Sequence, residues 1–273
     1  MKDLSGKNVV VTGGSYGLGK EIVRSFLKEG ANVFTIARNE QKLDACVKEV
    51  SRDAVGDCRV KGYPCDVTDR ERITDTIDRI SGEEGGIDIL INNAGIVIPG
   101  YFEKLAVEDF ETVLRTNYLG VVYATKAALP HLLSNQESAI TVTSSVLGYK
   151  GIFGYSTYSP TKFALIGLAE VLRSELKNRG VQVTVLCPPD TDTPGLEEEK
   201  KVRPRETEAV AGSGGLAAPA DVASQFLRGF KKGKFMVICG FSIKLLYRVN
   251  GIAPRLADYI LDSMVASEQR KMG

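Results

Sequence analysis

The stretch NVVVTGGSYGLGKEI, residues 8–22, runs from an apolar segment through a glycine-rich turn into a helical pattern. NVVVT (8–12) has the length and β-branched content of a buried strand. Glycines at 13, 17 and 19 let the backbone turn tightly and bring a helix N-terminus close to a pyrophosphate. Ser15, Tyr16 and Leu18 fill the turn and are expected to face the same ligand, whereas Gly14 reads as a close-packing position. The spacing is G-x-x-x-G-x-G, not the commoner G-x-G-x-x-G. Strand, glycine turn and helix in this order open a doubly wound sheet.

The rest of the chain continues the alternation. NVFTIA (32–37), IDILINN (87–93), AITVTS (139–144), VQVTVL (181–186) and FMVIC (235–239) read as buried strands, and RVKGYPC (59–65) as a weaker one. GKEIVRSFLKEG, NEQKLDACVKEV, DRERITDTIDRI and PTKFALIGLAEVLRSELKNRG carry helical spacing between them, several ending in glycine. This predicts one α/β domain over 1–273, a parallel sheet with helices on both faces. Residues 188–219 form the one long irregular insertion, expected to act as a lid-like loop, and 235–261 a C-terminal apolar region.

Composition excludes several function classes. With 43 % apolar and 25 % charged residues and a net charge of +1, the chain offers no electrostatic case for nucleic acid. Cysteines 46, 58, 65, 187 and 239 contain no CxxC pair and fit neither a disulfide framework nor a metal site. A reducing compartment is expected, with no signal peptide, because the chain enters a strand almost at once. No apolar run reaches the ~18 residues of a membrane span. His131, the sole histidine, has no partner motif and reads as structural.

Two further stretches carry chemistry. TIARNEQK (35–42) places Ala37 and Arg38 where an NAD-preferring fold has an acid, with Lys42 one turn on. Cations there suit a 2′-phosphate, so NADPH/NADP+ is the expected cofactor. In GYSTYSPTKFAL (154–165), Tyr158 and Lys162 share one helix face, and a nearby ammonium lowers a phenol's pKa from its usual ~10. Tyr155 has Ser159 four residues on and is the weaker candidate. Ser145 ends the strand AITVTSS, with Ser144 beside it as an open alternative. Asn117, in RTNYLG, interrupts a helical pattern, and NNAG (92–95) closes the fourth strand with small residues.

These motifs together resemble the short-chain dehydrogenase/reductase superfamily. TGGSYGLG, CDVTD around Asp66 and Val67, NNAG, Asn117, Ser145 and YSPTK occur in that family's order. The resemblance implies a Rossmann-type seven-stranded sheet and ketone reduction by NADPH, with Asn117, Ser145, Tyr158 and Lys162 catalytic. Tyr158 would give the proton, Ser145 position the carbonyl oxygen, Lys162 tune Tyr158 and hold the ribose, and Asn117 support a water chain. By the same resemblance Asp66 and Val67 flank the adenine, Asn93, Ala94 and Gly95 line the cofactor, and Pro188, Thr191 and Thr193 meet the nicotinamide.

Most members follow the sixth strand with Pro-Gly. Here the loop is PPDTDTPG (188–195), similar to the branch that reduces 3-ketodihydrosphingosine, as are GIFG (151–154) and KFALIGLAEVLRSEL. That branch implies a long-chain amino-ketone lipid as substrate. Asp190 and Asp192 are expected to draw its ammonium, and Leu196, Val202 and the apolar face of 235–261 to hold its tail. A 3-oxoacyl thioester or a steroid is the alternative substrate, and a non-catalytic cofactor-sensing module the third reading. Thr193 reads equally as a helix N-cap with Pro194 at the first position. FSIKLLYRVNGIAPRLADYIL either contacts a membrane or an acyl chain, or packs on the core or a sister subunit. The expected assembly is a homodimer or homotetramer, cytoplasmic or peripheral at a membrane surface.

Overall fold

The computed structural model describes residues 1–272. Seven strands, β1 (Asn8–Thr12), β2 (Asn32–Ala37), β3 (Val60–Pro64), β4 (Ile89–Asn92), β5 (Ser138–Thr143), β6 (Val181–Cys187) and β7 (Met236–Ile238), form one sheet. Its order is β3-β2-β1-β4-β5-β6-β7, and every pairing is parallel. All residues of β1, β4 and β5 are buried, as expected of strands covered on both faces. The stretch RVKGYPC supplies edge strand β3, where Pro64 is tolerated because an edge needs no second ladder.

The helices are α1 (Gly17–Leu27), α2 (Glu40–Val50), α3 (Arg70–Glu84), α4 (Val107–Leu114), α5 (Gly120–Leu133) and α6 (Ser159–Leu176), then α7 (Pro194–Lys200), α8 (Arg205–Ala211), α9 (Pro219–Lys231), α10 (Phe241–Ile252) and α11 (Pro254–Met272). α1 and α9 cover one face, where the Phe26 ring meets Phe230 edge-on at 5.6 Å. α3, α5 and α6 cover the other through Ile73, Ile77, Ala124, Ala128 and Leu165. Strand order reverses between β1 and β4, and a crevice opens there at the carboxyl ends of the strands.

One expectation is corrected. Residues 188–219 are not irregular: they hold α7 and α8. Thr193 starts α7, its Oγ1 accepting from the Leu196 N–H at 3.2 Å, and Pro204 precedes α8 with its φ already fixed. The two ends of this segment are clipped together, with Asp192 N donating to Ala217 O and Ala217 N to Asp190 O, both at 2.9 Å. The apolar C-terminal region, 235–261, holds β7, α10 and part of α11, and part of it packs on the core. Ile243 is buried against Val146, Leu147 and Tyr155, and the Tyr149 hydroxyl donates to the Ile243 carbonyl. Phe241, Ile252 and Tyr259 stay exposed. No helix among the described residues is long and apolar enough to cross a membrane.

Candidate active site

One cleft of about 930 Å³ runs along the carboxyl ends of the strands, from Arg38 and Lys42 at one end to Leu196 and Val202 at the other. Its first half is the glycine turn. Gly13 has φ +72°, and a Cβ there would lie 2.7 Å from Ala94 Cα; one on Gly19 would lie 2.1 Å from the Gly13 carbonyl oxygen. Gly14 instead packs inward, where a Cβ would strike Thr35. Tyr16, extended, precedes α1 without a side-chain cap, whereas Asn39, Asp69 and Thr193 cap α2, α3 and α7. The first N–H groups of α1 are thus left for an anion.

The remaining cofactor candidates lie around this turn. Ser15, Gly17 and Leu18 line the cleft beside it. Asn93 Nδ2 donates to the Gly13 carbonyl at 3.1 Å, and Thr12 Oγ1 accepts from Asn93 N and Ala94 N. Gly95 follows, close to Asn117 Oδ1. Arg38 is exposed, 3.6 Å from Asp66 Oδ2, while Asp66 Oδ1 accepts from Thr68 N and Oγ1. Val67 is buried beneath them. Lys42 sits 5.7 Å from the Tyr16 ring centre.

The second half gathers the hydroxyls. Tyr158 immediately precedes α6, and Lys162 N donates to its carbonyl at 3.2 Å, so the four-residue spacing stacks the two side chains. Lys162 Nζ lies 5.3 Å from the Tyr158 ring centre and donates to Thr143 O at 2.8 Å. Burial pushes its ammonium down to about 8. The structure corrects the expected effect on Tyr158: burial and then Glu199 hold the phenol well above its ordinary value, with Ser145 pulling it down. At neutral pH this phenol keeps its proton.

Ser144 and Ser145 part company. Ser144 Oγ donates to the Lys162 carbonyl at 2.9 Å and is wholly buried. Ser145 is extended, and its Oγ accepts from Leu147 N at 3.2 Å on the cleft side beside Tyr158. Asn117 does not line the cleft. It sits in a π turn, Arg115–Leu119, between α4 and α5, and clamps Ile96 with Oδ1 accepting at 2.8 Å and Nδ2 donating at 2.9 Å. Thr191 and Thr193 line the cleft with Pro188. The Thr191 hydroxyl turns back on the Pro189 carbonyl at 2.9 Å.

An ionic knot that the sequence reading missed closes the far end. Arg203 is buried and bonds Asp190 at 2.9 Å, Glu199 at 2.8 Å and Glu208 at 3.0 Å. Tyr155, the weaker candidate for lacking a lysine four residues on, donates to Glu199 Oε1 at 2.6 Å. The Glu199–Arg203 spacing of four was the available signal. Asp190 is paired with Arg203 through Oδ2, and Asp192 does not line the cleft. No residue of 235–261 lines the cleft either, so Leu196 and Val202 alone remain of the expected tail channel.

Residues 7–203 match the family model described as short chain dehydrogenase. The chain belongs to this family. As a short chain dehydrogenase it is 43 % identical over 257 residues to a Dictyostelium discoideum protein named 3-ketodihydrosphingosine reductase, covering 89 % of this chain and 77 % of that protein. A Danio rerio 3-dehydrosphinganine reductase is 41 % identical, with 85 % and 70 % covered. A Mus musculus 3-ketodihydrosphingosine reductase is 39 % identical, with 92 % and 76 % covered.

Proposed function

We propose that this chain reduces the ketone of 3-ketodihydrosphingosine to the secondary alcohol, with NADPH as the cofactor. The observation that carries the reading is the 39–43 % identity, over most of the chain, to relatives named for this substrate. The residues present fit a dinucleotide, since the cradle at Gly13 and Gly19 is one that a Cβ would fill and α1 begins uncapped. Gly13 to Gly19 and Asn93 to Gly95 would hold it, with Arg38 and Lys42 at its 2′-phosphate and Lys162 at the nicotinamide ribose. The chemistry the cofactor supplies when bound is hydride donation to the carbonyl carbon.

The chain's own part is placement and a proton. Ser145 Oγ, already held by Leu147 N, fixes the carbonyl oxygen by donating its own hydrogen. Tyr158, protonated because its site is dry and faces Glu199, gives its proton as the oxygen gains charge. A strong alkoxide base takes a proton even from a phenol of raised pKa. Asn117 acts at one remove, holding the Ile96 backbone that flanks the cleft.

The substrate test compares kcat/KM for the amino ketone, its des-amino analogue and a 3-oxoacyl thioester of matched length. The amino ketone should win, and its KM should fall with tail length at roughly 0.8 kcal/mol per buried methylene. A faster thioester would leave only the general reductase assignment. For the cofactor, Arg38→Asp should reduce the preference for NADPH over NADH by on the order of 10²-fold, because it replaces an attraction to phosphate with repulsion. The measurement is kcat/KM with each nucleotide in both proteins. A wild type that prefers NADH contradicts the assignment.

A further inference from the structure

We infer that Glu199 reads the amino group beside the substrate's ketone, and so separates an amino ketone from a plain one. The inference rests on the sphingoid reading above and names the residue that would enforce it. Three acids line the substrate half of the cleft: Asp190, Glu198 and Glu199. Asp190 is taken by Arg203, and Glu198 is exposed and paired with Lys201 at 2.6 Å. Glu199 differs in being the most buried of the three and in holding Tyr155 beside Tyr158. Both of its donors, the Tyr155 hydroxyl and Arg203 Nε, fall on Oε1, and no donor among the described residues hydrogen-bonds Oε2.

The side chain carrying that oxygen is only 11 % exposed, so it is poorly hydrated and gains more from a cation than a surface carboxylate would. The local charge is also uncompensated, because one guanidinium faces three carboxylates. Lys162 does not redress the balance, as its ammonium turns to the Thr143 carbonyl. The position suits the substrate's own arrangement of groups. Glu199 holds Tyr155, whose ring lies 6.1 Å from that of Tyr158, and the substrate's amine lies one carbon from the ketone that Tyr158 serves.

The chemistry gains as well as the binding. A carboxylate beside the amine keeps it protonated, and an ammonium next to a carbonyl withdraws electrons from it. The carbonyl carbon then accepts hydride more readily, and the oxygen's developing charge has a cation close by.

Glu199→Gln tests this, since it keeps the shape and the Oε1 acceptor for Tyr155 and Arg203 while removing the charge. The reading is the ratio of kcat/KM for the amino ketone to that for its des-amino analogue. Both are measured on one preparation, so any loss of folded protein cancels. The wild-type ratio should favour the amine, Glu199→Gln should lower it about 10-fold or more, largely through KM, and Glu199→Asp should retain most of it. Equal losses on both substrates in Glu199→Gln would overturn the inference and reduce Glu199 to a brace for Tyr155. A wild type with no preference for the amine would instead remove the sphingoid reading beneath it.

Discussion

Tyr158→Phe is expected to lower kcat by about 10³-fold or more while NADPH still binds. The substitution deletes one hydroxyl and leaves the ring packed beside Tyr155 and the turn into α6 intact. Only the proton that would meet the reduced oxygen is lost. Ser145 can still position that oxygen, but an aliphatic hydroxyl is a far weaker acid than a phenol. Single-turnover rate and titration of NADPH fluorescence separate the two effects. Appreciable turnover by the phenylalanine variant would mean that another group delivers the proton.

Lys162→Ala should damage cofactor use and turnover together, lowering kcat/KM for NADPH by on the order of 10²-fold or more. It removes a buried ammonium and leaves the Thr143 carbonyl without its donor. A pH signature distinguishes this from general damage. Burial brings the Lys162 ammonium down to about 8, so the charged form exists below that pH and is lost as pH rises through it. Wild-type kcat/KM for NADPH, which reports ionisations of the free enzyme, should therefore fall on crossing pH 8. The alanine variant should lack that limb. A wild-type profile flat between pH 7 and 9 would contradict the role.

How much of this was readable beforehand depended on how local the cause was. β1 and β2 keep the limits their apolar runs suggest, because each is a fully covered strand bounded by turn residues. FMVIC shortens to the three residues of β7, since only β6 lies beside it to set its length. The glycine turn was legible through residues adjacent in sequence, and the Tyr158–Lys162 pair through helical spacing. The knot around Arg203 was not, because Asp190 and Tyr155 reach it from 13 and 48 positions away and only after α7 has formed. Nor could spacing foretell the phenol's raised pKa, which comes from burial first and from Glu199, a residue on another element.

The π turn at Arg115–Leu119 has a consequence for how such a chain can change over generations. One extra residue is accommodated between α4 and α5, and it turns Asn117 inward while α5 keeps Ala124 and Ala128 against the sheet. Each residue of an α-helix advances the phase by about 100°. Deleting any one position here would rotate α4 by that amount relative to α5 and carry Asn117 away from Ile96. Substitutions act one side chain at a time along this segment, but a change in its length would be felt at once by every residue ahead of it. The count of residues thus constrains this segment as strictly as the asparagine itself.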